Sequence, residues 1–265
     1  FFIFFILCQA VLGQYTASNS CRLHLPMGLG LTSTAHKLFK TFVEIIYPLN
    51  CGGCGAKGET LCGRCISSFS FVEDNMVCPM CGRWIGKKVV CGECIEEKRG
   101  FQKGHYGFYF ENRLRDAIHA FKFRGRIDVG RRLVQLLKDN ILSFSDSFDC
   151  IIPLPVTSKR LKQRGFNQSF IIGEEISAIT GKMLQHSVLC KTKETRDQYE
   201  LNREERKKNI KGVFTVKNNN MIKHKRLLLV DDLFTTGFTA KEASSTLLKA
   251  GADYIVFFAL ARTPS

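Results

Sequence analysis

The stretch Arg226-Leu-Leu-Leu-Val-Asp231-Asp232-Leu-Phe-Thr235-Thr236-Gly237-Phe-Thr239-Ala240 runs from an unbroken apolar segment into two aspartates and then into a threonine-rich turn. Apolar residues without alternation, as from Leu227 to Val230, are those of a strand covered on both faces, the kind found inside parallel sheets. Ala240 to Ala250 then reads as a helix, and Tyr254-Ile-Val-Phe-Phe-Ala-Leu260 as a second buried strand. Upstream, Cys150-Ile-Ile-Pro-Leu154 is a short strand and Asn167 to Ile179 a helix. This alternation predicts an α/β fold, an open and mainly parallel sheet with flanking helices. Such sheets bind ligands at the carboxyl ends of their strands, where the aspartates and threonines fall.

The turn itself has a chemistry. The first N–H groups of a helix lack partners and form the positive end of its dipole. With hydroxyls from Thr235, Thr236 and Thr239 and a permissive Gly237, they make a cradle for a phosphate. The carboxylates of Asp231 and Asp232 do not hold a phosphate directly. They accept hydrogen bonds from the hydroxyls of an attached sugar, or support a cation. The whole describes a sugar-phosphate site, and the lack of a lysine directly after the glycine excludes a Walker-type triphosphate loop. A turn that merely caps a helix is the plainer alternative, but it leaves the acid pair unexplained.

Eight of the 12 cysteines form four C-x-x-C pairs: Cys51/Cys54, Cys62/Cys65, Cys78/Cys81 and Cys91/Cys94. Paired knuckles of this spacing wrap a tetrahedral Zn²⁺ in thiolates, with no open position for water, so two structural rather than catalytic zinc sites are expected, ahead of an iron–sulfur or redox-disulfide reading. Sequential pairing (51/54/62/65 and 78/81/91/94) closes the shortest loops, and a crossed arrangement stays open. Cys150 and Cys190 read as small buried hydrophobes.

With 265 residues, 45% of them hydrophobic, the chain has the composition of a folded globular protein. Thirty-nine Lys and Arg against 24 Asp and Glu give a formal charge of +15, which favours anionic partners. Between Ile151 and Arg226 there are 17 basic and 7 acidic residues, so that segment alone carries +10. Residues 1–26 contain an apolar run too short to span a membrane and read as an upstream extension or a signal-like segment; no stable membrane insertion is expected. Thiols spaced for metal imply a reducing compartment, hence a cytoplasmic location. Leu38, Phe39, Phe42, Val43, Ile45 and Ile46 give 27–50 an amphipathic helix. Further helices are expected over Glu111 to Phe121 and through Val129, Leu133, Leu136 and Leu137, joined by Lys122-Phe-Arg-Gly-Arg126. The double zinc ribbon would occupy 51–95 and the α/β domain 96–265.

Pro153 and Pro155 stiffen a strand exit, and Lys159, Arg160, Lys162 and Arg164 follow within ten residues, a placement that suits a pyrophosphate better than a merely solvated basic loop. From Lys191 to Lys211 the chain is charged with few apolar anchors and suits a hood over the ligand, with Arg196, Gln198 and Arg206 as its contacts.

The strand, acid pair and Thr-Thr-Gly-x-Thr turn resemble the phosphoribosyl pyrophosphate (PRPP) motif of type I phosphoribosyltransferases. Ile152-Pro-Leu-Pro155 through Arg164-Gly-Phe-Asn167-Gln168, and Gln198-x-x-Leu201 through Phe214, are similar to the ComF family. With the cysteine ribbons upstream and Lys122-Phe-Arg-Gly125 between, that resemblance covers nearly all of 36–262. It implies a type I phosphoribosyltransferase fold behind the ribbons. Asp231 and Asp232 would face the ribose 2′ and 3′ hydroxyls. Thr235, Thr236, Gly237 and Thr239 would cradle the 5′-phosphate of PRPP, and Mg²⁺ would accompany the pyrophosphate, with Lys159, Arg160, Arg164, Asn167 and Gln168 near it. Members of the family include factors for natural transformation by DNA uptake. Three functions therefore stand side by side: pentosyl transfer from PRPP, single-stranded DNA binding in contact with DNA-uptake proteins, and PRPP sensing without turnover.

Overall fold

The computed structural model describes residues 49–192 and 212–264. The expectations for 1–26, for the helix at 36–46 and for Arg196, Gln198 and Arg206 lie outside those residues.

Two cysteine-bearing loops open the described chain. Each leads into a single helical turn, α1 (Gly63–Ser67) and α2 (Gly92–Glu96), whose N-cap positions are Cys62 and Cys91. The α/β part follows as β1 (Lys103–Tyr109), α3 (Asn112–Phe123), α4 (Ile127–Gln135), α5 (Lys138–Ser143) and β2 (Cys150–Pro153). It continues through α6 (Ser158–Arg164), α7 (Gln168–Thr180), β3 (Met183–Leu184), β4 (Leu189–Lys191) and β5 (Phe214–Val216) to β6 (Arg226–Phe234), α8 (Phe238–Lys249) and β7 (Tyr254–Arg262). Five strands pair in the order β1-β7-β6-β2-β3, every neighbour parallel, while β4 and β5 form a separate antiparallel pair. The expected α/β architecture, a parallel sheet with flanking helices behind a small double ribbon of cysteine loops, is the one observed.

The period of two along a strand divides the core between the two faces of the sheet. Leu227 and Leu229 of β6, with Ile255 and Phe257 of β7, meet Ala240, Ala243 and Leu247 of α8 on one face. Leu228, Val230, Val256 and Phe258 meet Ile118 and Phe121 of α3, Leu133 of α4 and Ile172 of α7 on the other. The cysteine loops divide in the same way. Cys78, Cys81, Cys91 and Cys94 join the first core and Cys51 and Cys65 the second.

Three segments differ from the sequence expectation. Strand β1 was not foreseen, because Gly104 and Gly107 interrupt its apolar pattern, yet Gly104 to Phe108 are all buried. Its outer edge is covered by the ribbon: Val72 N donates to Gly107 O (3.0 Å), Tyr109 N to Ser70 O (2.9 Å) and Gly104 N to Pro79 O (2.8 Å). Covering spares the sheet an open edge. The basic segment after Pro155 is a short helix, α6, whose N-cap Thr157 Oγ1 accepts from Arg160 N (3.3 Å) and which Gly165 ends at φ +80°. Strand β6 extends past the apolar run that ends at Val230 to reach Phe234, held by pairing of Leu233 with Ala261 and Phe234 with Arg262. The acid pair therefore stands on a strand and not in the turn.

Candidate functional site

From β2 the chain proceeds outward to β3, and from β6 outward the other way to β7. The carboxyl ends of the adjacent β2 and β6 thus border the crevice where the direction of winding reverses, the expected ligand position in such sheets. A cleft of about 480 Å³ lies there. Its walls include Leu154 to Val156 after β2 and the whole run Asp231 to Gly237 with Thr239.

The acid pair is held on both sides. Ser169 Oγ, in the first turn of α7, donates to Asp231 Oδ1 (3.3 Å), which also accepts from Asp232 N (2.8 Å). Asp232 is buried and pairs with Lys122 Nζ of α3 at 3.0 Å. Burial, then the charge of Asp232, pushes the Asp231 carboxyl up to about 7, against the pull of Lys122 and the two hydrogen bonds. A carboxylate so placed gains from any new donor, such as a sugar hydroxyl.

Facing the acids is a basic wall. Arg160 and Arg164 of α6 and Lys191 at the end of β4 line the cleft. The guanidinium of Arg164 lies 5.2 Å from the Phe123 ring centre and its Nη1 donates to Gln168 Oε1 (3.1 Å). Burial and then the neighbouring Arg160 lower the Lys191 ammonium to about 8, with Asp231 partly restoring it. Gly237 begins α8 in the left-handed region at φ +79°. A Cβ there would sit 2.7 Å from the Phe234 ring, so the turn requires glycine.

Asp231, Asp232, Thr235, Thr236, Gly237, Thr239, Arg160, Arg164 and Gln168 are thus brought together as cleft walls. Asn167 and Lys159 are not among them. The Asn167 side chain is used in the fold: its Oδ1 accepts from Ser169 N (3.1 Å), capping α7, and its Nδ2 donates to Leu154 O (3.0 Å). Gln168 braces its neighbours more than it faces a ligand, being 1% exposed and donating from Nε2 to Lys122 O (3.5 Å). Sequence reasoning passed over Lys122, Ser169 and Lys191. Lys122 had a signal, since it opens the quoted Lys-Phe-Arg-Gly run, but its pairing with Asp232 spans more than a hundred residues of chain.

The cysteines gather in the sequential sets. In each, the four sulfurs lie within 4.8 Å of one another. Cys54 and Cys62 sulfurs lie 3.6 Å apart and those of Cys81 and Cys91 3.7 Å. Cys62 N donates to Cys51 Sγ and Cys91 N to Cys78 Sγ, each at 3.3 Å. Backbone donors outweigh burial at Cys51 and bring its thiol down to about 6, whereas the neighbouring Cys78 sulfur pushes Cys81 up to about 11. Four sulfurs at this separation, with amides aimed at them, fit a tetrahedral Zn²⁺, and the two clusters are four-cysteine zinc-binding sites. Among the described residues no further group of His, Cys, Asp or Glu has such an arrangement. No described helix is long and apolar enough to cross a membrane.

A family described as "Double zinc ribbon domain" matches residues 42–95. Competence protein F of Haemophilus influenzae is 27% identical over 80% of this chain and 90% of its own length. DNA utilization protein YhgH of Escherichia coli K12 is 28% identical over 72% and 86%. Competence protein ComFC of Bacillus subtilis is 25% identical over 77% and 85%. Among solved structures, a glutamine PRPP amidotransferase from B. subtilis gives a TM-score of 0.35 at 16% identity, covering 50% of this chain and 26% of that one. An adenine phosphoribosyltransferase from Leishmania tarentolae gives 0.33 at 15%, covering 51% and 71%. Over most of its length the chain is similar to the competence proteins F and ComFC and to YhgH, and a double zinc ribbon stands ahead of its parallel sheet.

Proposed function

We propose that the cleft binds PRPP, and that the protein is a phosphoribosyltransferase-like member of the ComF type. One observation carries this reading: an acid pair and a threonine cradle stand together at the carboxyl end of β6, opposite Arg160, Arg164 and Lys191. A molecule that carries a phosphate, sugar hydroxyls and a pyrophosphate matches that set of groups. Thr235, Thr236, Gly237 and Thr239 take the 5′-phosphate, Asp231 and Asp232 accept from the ribose hydroxyls, and the basic wall meets the pyrophosphate. Mg²⁺, when bound, would neutralise charge on the pyrophosphate, and Asp231 rather than Asp232 would be the acid to support it, because Asp232 is already engaged by Lys122. Hood contacts from Arg196, Gln198 and Arg206 would complete the enclosure.

In transfer, the C1–O bond to pyrophosphate breaks as a nitrogen nucleophile bonds to C1. Positive charge then grows on the ribose and negative charge on the leaving group. Arg160, Arg164 and Lys191 stabilise the second, and the Asp231–Asp232 pair holds the first in place. Calorimetric titration with PRPP and Mg²⁺ tests binding, and pyrophosphate release over a panel of bases tests turnover. Binding with release makes the chain a pentosyl transferase, and binding without release makes it a PRPP sensor or adaptor. A titration that shows no binding would sink the proposal.

A second reading, single-stranded DNA binding alongside DNA-uptake proteins in the cytoplasm, is favoured by the names of the relatives and by Trp84, 63% exposed on the second ribbon beside Arg83, Lys87 and Lys88. Trp84→Ala would lower affinity for a fluorescent oligonucleotide and leave PRPP binding untouched.

A further inference from the structure

Arg99 spans the space between the second cysteine cluster and the threonine turn. Its side chain is 4% exposed. Nε donates to Cys94 Sγ (3.2 Å), Nη1 to Thr236 O (2.7 Å) and Nη2 to Glu93 Oε1 (3.2 Å). A guanidinium is a rigid planar fork, so moving one acceptor strains the contacts to the others. Thr236 lies 137 residues further along the chain and lines the cleft, so a single side chain links a metal-ligating sulfur to the phosphate cradle.

Peptide geometry shows what the link controls. The peptide joining Thr236 to Gly237 is planar and trans, so a carbonyl turned to Arg99 directs the Gly237 N–H to the opposite side. Gly237 has the conformational freedom to let that peptide rotate, and Arg99 Nη1 would stand 3.1 Å from a Cβ built at this position. The donor that a phosphate would meet is therefore held by a bond on the far side of its own peptide. The other end of the fork rests on Cys94, one of the four sulfurs that would close on a metal and whose position a bound ion would set.

We propose that Arg99 is a positioning residue that couples metal occupancy of the Cys78/Cys81/Cys91/Cys94 cluster to the shape of the threonine cradle, so that the loaded ribbon presets the sugar-phosphate site. The proposal rests on the reading of the cleft given above. Coupling of this kind is reciprocal: ligand in the cradle must be felt at the metal.

The test uses the full chain with zinc replaced by cobalt, whose thiolate charge-transfer band reports the cluster directly, and PRPP with Mg²⁺ as ligand. In the parent chain the band shifts as PRPP is added. Arg99→Met retains two metal ions per chain but binds PRPP on the order of tenfold more weakly, the loss expected for a hydrogen bond to a charged group, and its cobalt band no longer responds. Arg99→Lys, which can reach one acceptor at a time, recovers part of the affinity and provides the same comparison where methionine costs metal. Unchanged PRPP affinity in both variants, or a parent cobalt band indifferent to bound PRPP, overturns the coupling alone. A parent chain that does not bind PRPP overturns the reading of the cleft, and the coupling with it.

Discussion

Lys122 Nζ lies 3.0 Å from Asp232 Oδ1, with side chains only 10% and 12% exposed, and so neutralises one of two adjacent carboxylates at the floor of the cleft. Truncating the lysine leaves Asp232 buried, unpaired and next to Asp231. Lys122→Met should destabilise the fold by about 1–3 kcal/mol, less than a fully buried pair would lose because the cleft admits water. It should also weaken PRPP binding, since the acid pair then repels the pyrophosphate more strongly. Adding Asp232→Asn removes the orphaned charge and should restore part of the stability. Urea unfolding of the two single variants and the double gives the coupling; strictly additive effects would show that the pair carries no energy.

Asp231 points the other way. Its folded pKa of about 7 exceeds the unfolded value near 3.8, so the folded state binds the proton more tightly. Stability contributed by the neutral form is therefore present below pH 4 and lost as pH rises towards 7. Asp231→Asn should raise Tm by a few degrees at pH 8, equivalent to about 1–2 kcal/mol, with little change at pH 4. The same substitution should abolish PRPP binding. A variant less stable than the parent at pH 8 would contradict the pKa shift; one that kept its PRPP affinity would contradict the site.

Binding should be confined to a pH window for the same reason. Lys191, lowered to about 8, loses its charge as pH rises through that value, and affinity for the pyrophosphate should fall with it. Below about 7, Asp231 becomes protonated and accepts from the ribose hydroxyls less strongly than the carboxylate does, so affinity should fall again. Calorimetry from pH 6 to pH 9 should place the maximum between 7 and 8. Lys191→Arg, charged throughout, should remove the upper limb and leave the lower one.

Much of this was readable from one-dimensional pattern because its causes are local. The unbroken run Leu227 to Val230 reports a strand covered on both faces, and the C-x-x-C spacing reports thiols that curl around one ion. Asp231, Asp232 and the threonines were legible since a strand, a turn and a helix start in direct succession. What escaped was set by distant neighbours. Strand β1 is buried because β7 and the ribbon lie on either side of it, which Gly104 and Gly107 disguise. The role of Asn167 as a cap could not be told from that of a ligand until Ser169 N was seen to be 3.1 Å away. Arg99 carried no motif at all, its three acceptors being assembled only by the fold.

The two zinc sites differ in depth, and metal removal should expose the difference. All four cysteines of the second cluster are buried, in a core shared with Val72, Val77, Phe101 and Tyr106. In the first cluster Cys54 is exposed and Cys62 only partly covered. A chelator should strip the first site faster, since the sulfurs of Cys54 and Cys62 can be reached without opening the core. Trp84, the one tryptophan, lies in the second ribbon and bridges Val77, so its emission should hold through the first phase and change in the second. Loss of the second ion also frees the sulfur that anchors Arg99, and PRPP affinity should fall in step with the Trp84 signal. Cys91→Ser should correspondingly cost at least about 2 kcal/mol more than Cys54→Ser, because it opens a packed core rather than a surface loop. A single phase of metal release, or a Trp84 change accompanying the first ion, would refute this order.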